Sequence, residues 1–355
     1  MSRTPRRRTK LVDIATQAEV SVATVSRVLS KPETVRPELR ERVQRVLEKH
    51  PYVPDGAASA LASRKTHTVG AIVPTIGVAI FSDGIEALQS ELQESRCALV
   101  IATNHNDPSE EFDAVNVLIR RGVDGFVLVG NDHLPETLEL MRQFDIPFIK
   151  TYVGASDDGV PAVGFDQFDA TYELTEYLIS LDHRDFGVIV SPTRFNDRIR
   201  ARRDGVLKCL EDRKITLAQS QVVEVPYSIS SGRAALRSVM NANPRITAVV
   251  CTTDVLAIGA VIEAKALGID VPGRLSVTGF DDLELAGQID PTITTVKVPA
   301  EEIGRTAAGY ILRVIAGESI PESFYTPTEL IIRNSTARPA NPRRPRGRPR
   351  KARRA

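Results

Sequence analysis

The sequence predicts two fold classes in one chain: an all-α helix-turn-helix headpiece, then an α/β core of two lobes built on doubly wound parallel sheets. Three observations carry this. Residues 11–29, LVDIATQAEVSVATVSRVL, space their apolar side chains for two short helices packed on each other. From Val69 onward short apolar runs alternate with helical patterns, the order that buries a parallel sheet between helices. A length of 355 residues with 42% hydrophobic composition exceeds one domain and can fill a large core.

Leu11, Ile14, Ala15 and Ala18 give the first helix its apolar face, and Val25, Val28 and Leu29 give the second its own, with Glu19-Val20-Ser21 turning between them. Ser21 is a good N-cap. The second helix then presents Val22, Ala23, Ser26 and Arg27 beside the hydroxyl of Thr24. Short side chains at a helix N-terminus let it sit deep in a DNA major groove. There Val22 and Ala23 can meet thymine methyls, Arg27 a guanine edge or a phosphate, and Ser21, Thr24 and Ser26 phosphate oxygens. A solvated amphipathic hairpin is the plainer reading of the same pattern. A third helix from Pro37 to Lys49, with Leu39, Val43, Val46 and Leu47 at helical spacing, closes a headpiece over residues 1–50.

Residues 51–66 follow and begin PYVPDGAASAL. Taken with VATVSRVLS and RERV, this resembles the lactose-repressor family of bacterial transcription regulators, and the likeness runs from about Thr9 to Arg338. The resemblance implies that 51–66 is a hinge helix that folds on operator DNA and lies in its minor groove. Leu61 would be the wedge that unstacks the central base step, and Ala58 would let the two hinge helices of a homodimer pack closely. Asp55 stands where the family usually has Asn, Ser59 where Arg is frequent, and Glu19 where the turn usually has Gly.

Charge is segregated. Residues 1–65 hold 14 Lys and Arg against 7 acids, residues 338–355 hold 9 against none, and the middle keeps 23 basic residues against 38 acidic ones. Basic ends can hold phosphates while an acidic body is repelled from them. Cys97, Cys209 and Cys251 are widely spaced in apolar or helical sequence, and His50, His67, His105, His133 and His183 stand singly. Neither a disulfide framework nor a metal site is suggested, no cofactor is expected, and a reducing compartment fits. No apolar run reaches the ~18 residues of a membrane span, and no secretory h-region follows the basic N-terminus. The expected location is cytoplasmic, on the nucleoid, with no membrane partner.

In the core, VGAIVP, CALVIAT, GFVLVG, PFIKTYV, PAVGF, FGVIVS, AVVCTT and LSVTGF read as parallel strands, and segments such as IEALQSELQES and TYELTEYLISL as crossover helices. The strands divide near Val163 to Asp166, and the chain returns to the first half near Thr294 to Val298. The expected ligand-binding and dimerisation domain spans 67–336, with lobe one at about 67–163 and 297–325 and lobe two at about 164–296 and 326–336. This is the architecture of periplasmic sugar-binding proteins, whose ligands sit between lobes at the carboxyl ends of strands.

Carrying the family's ligand positions across one at a time gives seven residues. Arg202 stands three residues before Gly205, as the ligand-clamping Arg of the family's Arg-x-x-Gly element does, and a guanidinium there can fork two hydroxyls or a carboxylate. Asp281, in Gly279-Phe280-Asp281-Asp282, matches the acid that accepts from ligand hydroxyls, and Thr253-Asp254 matches a usual Asn-Asp pair. Asp169 lies where the first helix of lobe two is expected to face the cleft, Tyr227 holds the position of an aromatic that stacks on a sugar ring, and Ile80 and Phe81 line the opposite lip. A plainer role is open to each: Asp281 or Asp254 can cap a helix, Arg202 can pair with an acid, and Phe81 and Tyr227 can be core. Val78-Ala79, Asp166-Gln167 and Thr253 replace three amide-bearing positions of the sugar pattern, while Arg198, Arg200 and Arg202 cluster near the rim. The expectation is a small polar anion, such as a sugar acid or sugar phosphate, rather than a neutral hexose.

Residues 337–355 form a basic tail, expected to be disordered, whose Pro345-Arg346-Gly347-Arg348-Pro349 resembles the core of an AT-hook, with Arg346 and Arg348 entering an A/T-rich minor groove. A polycation adding salt-sensitive affinity of no sequence preference is the other reading. The tail lacks the heptad leucines of a tetramerising coil. No Gly-x-Ser-x-Gly elbow, phosphate-cradling loop or His-Glu metal motif points to an enzyme. The expectation is a dimeric, ligand-controlled repressor of double-stranded operator DNA released by an effector. A corepressor-dependent repressor, a transport-linked solute-binding protein and an architectural DNA protein are the rivals.

Overall fold

The computed structural model describes residues 9–50, 65–155, 158–320 and 322–340. Ala58, Leu61, Arg346 and Arg348 lie outside the described residues. The chain divides into two compact units, residues 1–66 and 67–355.

In the first unit, helices α1 (Leu11–Gln17), α2 (Val22–Ser30) and α3 (Pro37–Lys49) pack around Ile14, Ala15, Ala18, Val25, Val28 and Val43. Ser21 caps α2 by accepting from the Thr24 amide at 3.1 Å. Pro37 begins α3 where no intrahelical amide is needed. The turn is held from a distance: Nη2 of Arg42 donates to the carbonyls of Ala18 at 2.7 Å and Glu19 at 3.0 Å, satisfying oxygens left over at the end of α1. Glu19 has φ 51°, so the turn position at which the resemblance leads one to expect glycine is left-handed in this chain.

The second unit contains two parallel sheets. In lobe one, β1 (Thr68–Val73), β2 (Ala98–Thr103), β3 (Gly125–Val129), β4 (Phe148–Thr151), β5 (Ala162–Gly164) and β11 (Phe324–Tyr325) lie in the order β11-β5-β4-β3-β1-β2. In lobe two, β6 (Phe186–Val190), β7 (Val222–Glu224), β8 (Ala248–Cys251) and β9 (Ser276–Thr278) lie in the order β7-β6-β8-β9. Strand order reverses at β1/β3 in one sheet and at β6/β8 in the other, the switch points where α/β sheets open a crevice. An antiparallel pair, β10 (Thr295–Lys297) and β12 (Glu329–Ile331), completes the strands. The chain crosses between lobes after β5, after β10 and between β11 and β12.

The helices that flank these sheets and set the cleft are α4 (Ala79–Glu94), α5 (Pro108–Arg120) and α6 (Pro135–Gln143) in lobe one. In lobe two they are α7 (Gln167–Ser180), α8 (Asp197–Asp212), α9 (Ile229–Ala242) and α10 (Asp254–Ala266), after which α11 (Ala300–Ile315) returns to pack on α4. Val69, Ala71, Ile72, Phe126, Leu128 and Ile149 of lobe one and Val188, Ile189, Val249 and Val250 of lobe two are fully buried, which is why their strands read as continuous apolar runs. Gly205 marks a tight approach: a Cβ there would come within 2.3 Å of the Phe168 carbonyl oxygen, so glycine lets α8 close on α7.

Candidate DNA-binding face and effector cleft

On the headpiece, Ser21, Val22, Ala23, Ser26 and Arg27 are exposed along the first two turns of α2, and Thr24 is half-buried. The Thr24 hydroxyl lies 2.8 Å from that of Ser21, so the two hydroxyls at the helix start are held together beside unpaired helix amides. That face offers methyls, hydroxyls and one guanidinium, which is the chemistry of base-edge and phosphate contact.

In the core, a cavity of about 290 Å³ opens between the lobes. Its lining comes from the carboxyl ends of strands in both sheets: Pro74 and Thr75 after β1, Asn106 after β2, Tyr152 after β4, Ser191 after β6, Tyr227 after β7, Thr253 after β8 and Asp281 after β9. The start of α4 adds Val78, Ile80 and Phe81 as an apolar wall, and Tyr152 packs edge-on against Phe81 with ring centroids 5.3 Å apart while donating its hydroxyl to the Ile80 carbonyl at 2.7 Å. Burial pushes the Tyr152 hydroxyl well above its usual range, so it stays a donor.

Arg202 and Asp281 meet at the floor. Nη1 of Arg202 lies 3.0 Å from Oδ1 of Asp281 and donates to the Thr252 carbonyl at 2.9 Å, and Nε donates to Oε1 of Gln167 at 2.7 Å. The guanidinium carbon sits 3.7 Å from the centroid of the Phe280 ring. Both side chains are buried, so the plainer role of Arg202, pairing with an acid, is realised alongside its place in the lining. Burial pushes the Asp281 carboxyl up to about 6 although the Arg202 guanidinium pulls the other way. Asp281 has φ 119° and Asp282 φ 60°, conformations that L-residues adopt at a cost and that cluster at binding sites.

Asp254 sits behind the cavity. It accepts from the Thr295 hydroxyl at 2.7 Å and the Leu283 amide at 2.7 Å, tying α10 to the loop that carries Asp281, and burial together with Asp281 pushes its carboxyl up to about 7.

Asp169 is not in the lining. It is exposed in the first turn of α7, where its amide donates to Asp166, and the helical phase turns Gln167 inward instead. The amide of Gln167 is engaged at both its nitrogen and its oxygen, donating to the Tyr152 carbonyl at 2.9 Å and accepting from Arg202. The rim arginines are not equivalent either. Nη2 of Arg200 donates to Oδ1 of Asp132 at 2.6 Å, bridging the lobes beside the Asn131 amide, which donates to Oδ2 of Asp197 at 2.9 Å. Gly130 permits this approach, since with φ +89° a Cβ there would meet Oδ1 of Asp197 at 2.6 Å.

Several lining residues escaped the sequence reading. Asn106 and Asn196 bring two side-chain amides to the lining, and both accept from Nη2 of Arg198, at 2.9 and 3.3 Å. Their signal is local: His105-Asn106-Asp107-Pro108 reads as a turn, and His105 and Asn106 have φ 49° and 59°. Beneath the 130–132 loop, His133 is not isolated. Its Nδ1 lies 2.7 Å from Oε1 of buried Glu111 and its Nε2 2.9 Å from the Gly130 carbonyl oxygen. Among the described residues no helix is long and apolar enough to cross a membrane, and no group of three His, Cys, Asp or Glu side chains is placed to hold a metal.

A helix-turn-helix unit and a two-lobed α/β core with a polar cleft define a ligand-responsive DNA-binding regulator. Known proteins resemble both parts. Residues 10–55 match the model of bacterial regulatory proteins, lacI family, and residues 175–336 match that of a periplasmic binding protein-like domain. The HTH-type transcriptional repressor PurR of Yersinia enterocolitica is 29% identical over 328 residues, 92% of this chain and 96% of that protein. The crystal structure of the transcription regulator GntR from Chromobacterium violaceum superposes with a TM-score of 0.71 at 28% identity, covering 76% of this chain and 99% of that one. The lac repressor dimer bound to operator and an anti-inducer shares the fold, with a TM-score of 0.83 at 24% identity over 93% of this chain and all of that one. The chain thus carries a region matching the lacI-family regulatory model and a periplasmic binding protein-like domain, and over most of its length it is similar to a repressor that combines the two.

Proposed function

We propose that this protein is a dimeric transcription repressor whose hold on a two-fold symmetric operator is released by a small polar metabolite, a sugar acid, sugar phosphate or sugar, bound between the lobes. The observation that carries the reading is the cleft: strand ends from two sheets converge on one cavity that combines an apolar wall at Ile80 and Phe81 with the Arg202–Asp281 pair and the Tyr227 and Thr253 side chains. Ligand groups that span such a crevice interact differently with its open and closed forms, and that difference is what shifts affinity for DNA.

The relatives that match along nearly the whole chain are repressors. On α2, Ser21, Val22, Ala23, Thr24, Ser26 and Arg27 would make the major-groove and phosphate contacts, with Ala58 and Leu61 acting in the minor groove. Dimerisation is supported by the edge strand β2, whose Val100 and Ile101 are exposed, and by Val117, exposed on the α5 helix that packs on β2, which together offer apolar surface to a second copy. One reading of the tail adds Arg346 and Arg348 as minor-groove contacts beside the operator.

Fluorescence anisotropy of the full chain on a palindromic duplex from its own promoter region tests the reading. The expected result is binding ~10³-fold or more tighter than to random duplex, weakened by a metabolite that also binds the core calorimetrically. Equal affinity for both duplexes would contradict it.

A further inference from the structure

Resting on the reading of the cleft as the effector site, we propose that the effector carries a carboxylate or phosphate group and that Arg198 is the residue that seats it. The argument begins from what the neighbouring arginines already hold. Arg200 is taken by Asp132 and by the Thr193 carbonyl, and Arg202 by Asp281, Gln167 and the Thr252 carbonyl. Arg198 differs. It is 6% exposed and lines the cavity, yet among the described residues it forms no ion pair.

The two groups that do bond to Arg198, Asn106 and Asn196, are neutral amides meeting the same nitrogen, Nη2. Nη1, on the side of the guanidinium that lies near Gly130, is buried with no hydrogen-bond partner, so an anion in the cavity would reach the group by its other edge or draw Nη1 toward it. Asp197 and Asp132 act on the guanidinium through space without contacting it. A buried cation bonded only to neutral amides, with carboxylates near it but none in contact, gains when an anion joins it, because a guanidinium donates best to a charged oxygen.

The surroundings favour the same occupant. Arg198 lies in the first turn of the 16-residue helix α8, whose N-terminal dipole is positive. Arg194, exposed at the mouth, adds a second cation, and Phe81, 5.8 Å from the Arg198 guanidinium, begins the apolar wall against which a carbon skeleton can rest. A cavity of about 290 Å³ fits one small molecule. The ligand class is therefore a short polyol or sugar with one terminal anionic group on the α8 side.

Thermal melting and calorimetric titration of the full chain with D-gluconate, D-glucose 6-phosphate, inorganic phosphate and neutral D-glucose, for the unsubstituted protein, Arg198→Met and Arg198→Lys, test this. At least one anion should raise the midpoint of the core transition saturably, by about 2 °C or more at ~10 mM, while D-glucose does not. The carboxylate and phosphate arms identify which anion is preferred. Arg198→Met should lose tenfold or more in affinity for that anion and Arg198→Lys less, since Lys keeps the charge without the fork. Phosphate binding by the basic headpiece would be shared by all three proteins and cancels in the comparison. Tighter binding of D-glucose than of every anion, unchanged affinity in Arg198→Met, or no anion response at all would overturn the proposal. Operator affinity of Arg198→Met without ligand separates the two claims: if it matches the unsubstituted protein while anion binding is unaffected, the inference fails and the regulator reading stands. An anion that binds through Arg198 but leaves operator affinity unchanged would instead sink the effector reading.

Discussion

Among the described residues of the headpiece, the buried side chains are all apolar, Ile14, Ala15, Ala18, Val25, Val28 and Val43, and the residues expected to meet DNA stand exposed or half-buried on one helix. In the core, by contrast, Arg198, Arg202, Asp254 and Asp281 are all less than a tenth exposed and gather at the cleft. A DNA-reading surface meets a hydrated polyanion and displaces water and counterions from it, so the headpiece keeps its polar groups outside and needs only a small apolar core to present them. A site that must discriminate among small polar molecules works through groups already desolvated, where each unmatched hydrogen bond or charge is expensive. The left-handed backbone at Asp281 fits that division, as strain is held where the chemistry is.

Breaking the comparison at its apolar end should give the largest effect. Val25→Asp places a carboxylate in the centre of the headpiece core, where Val25 is 0% exposed, and should abolish operator binding while the core melts within about 1 °C of the unsubstituted protein. At the charged end, Arg202→Met strands Asp281 in a buried setting. A loss of about 3–5 kcal/mol in urea unfolding of the core is expected, partly recovered in the Arg202→Met, Asp281→Leu double variant.

The pH dependence is smaller but its sign is fixed. The Asp254 carboxyl is raised from 3.8 to about 7 in the folded core, so its contribution to stability is fully present below about pH 3.8 and is lost as pH rises through about 7. The core of Asp254→Asn should therefore show a flatter fall in melting temperature between pH 5 and 8, offset at every pH by the one hydrogen bond that the amide cannot replace. Smallest is Glu19→Gly, which relieves a positive φ at the headpiece turn and should raise headpiece stability by under ~1 kcal/mol, because greater freedom of the unfolded glycine offsets part of the gain.

Periodicity made the headpiece legible: apolar residues at helical spacing and a serine cap are local features, and α3 runs from Pro37 to Lys49 as its spacing implies. The Arg42 clamp on Ala18 and Glu19 was not legible, because it joins residues 24 apart through a side chain whose own spacing marks it only as surface. In the core, β1 to β6, β8 and β9 lie in apolar runs, some longer than the strand itself, whereas β7, β10, β11 and β12 are two or three residues long with no extended apolar run around them.

Ile80, Phe81, Arg202, Tyr227, Thr253 and Asp281 all line one cavity because strand ends converge by topology, and topology follows from strand order. Asp169 lies outside it because helical phase, two residues from Gln167, decides which side chain turns inward. That Arg198 has amide partners but no ion pair among the described residues depends on which partners its neighbours take across the cleft, and no one-dimensional pattern records that.

Selection of binding sites from a random-sequence DNA pool by the full-length chain tests the central claim most directly. The account predicts enrichment of a two-fold palindrome with half-sites about one helical turn apart. An asymmetric site, or no enriched sequence at all, would contradict it.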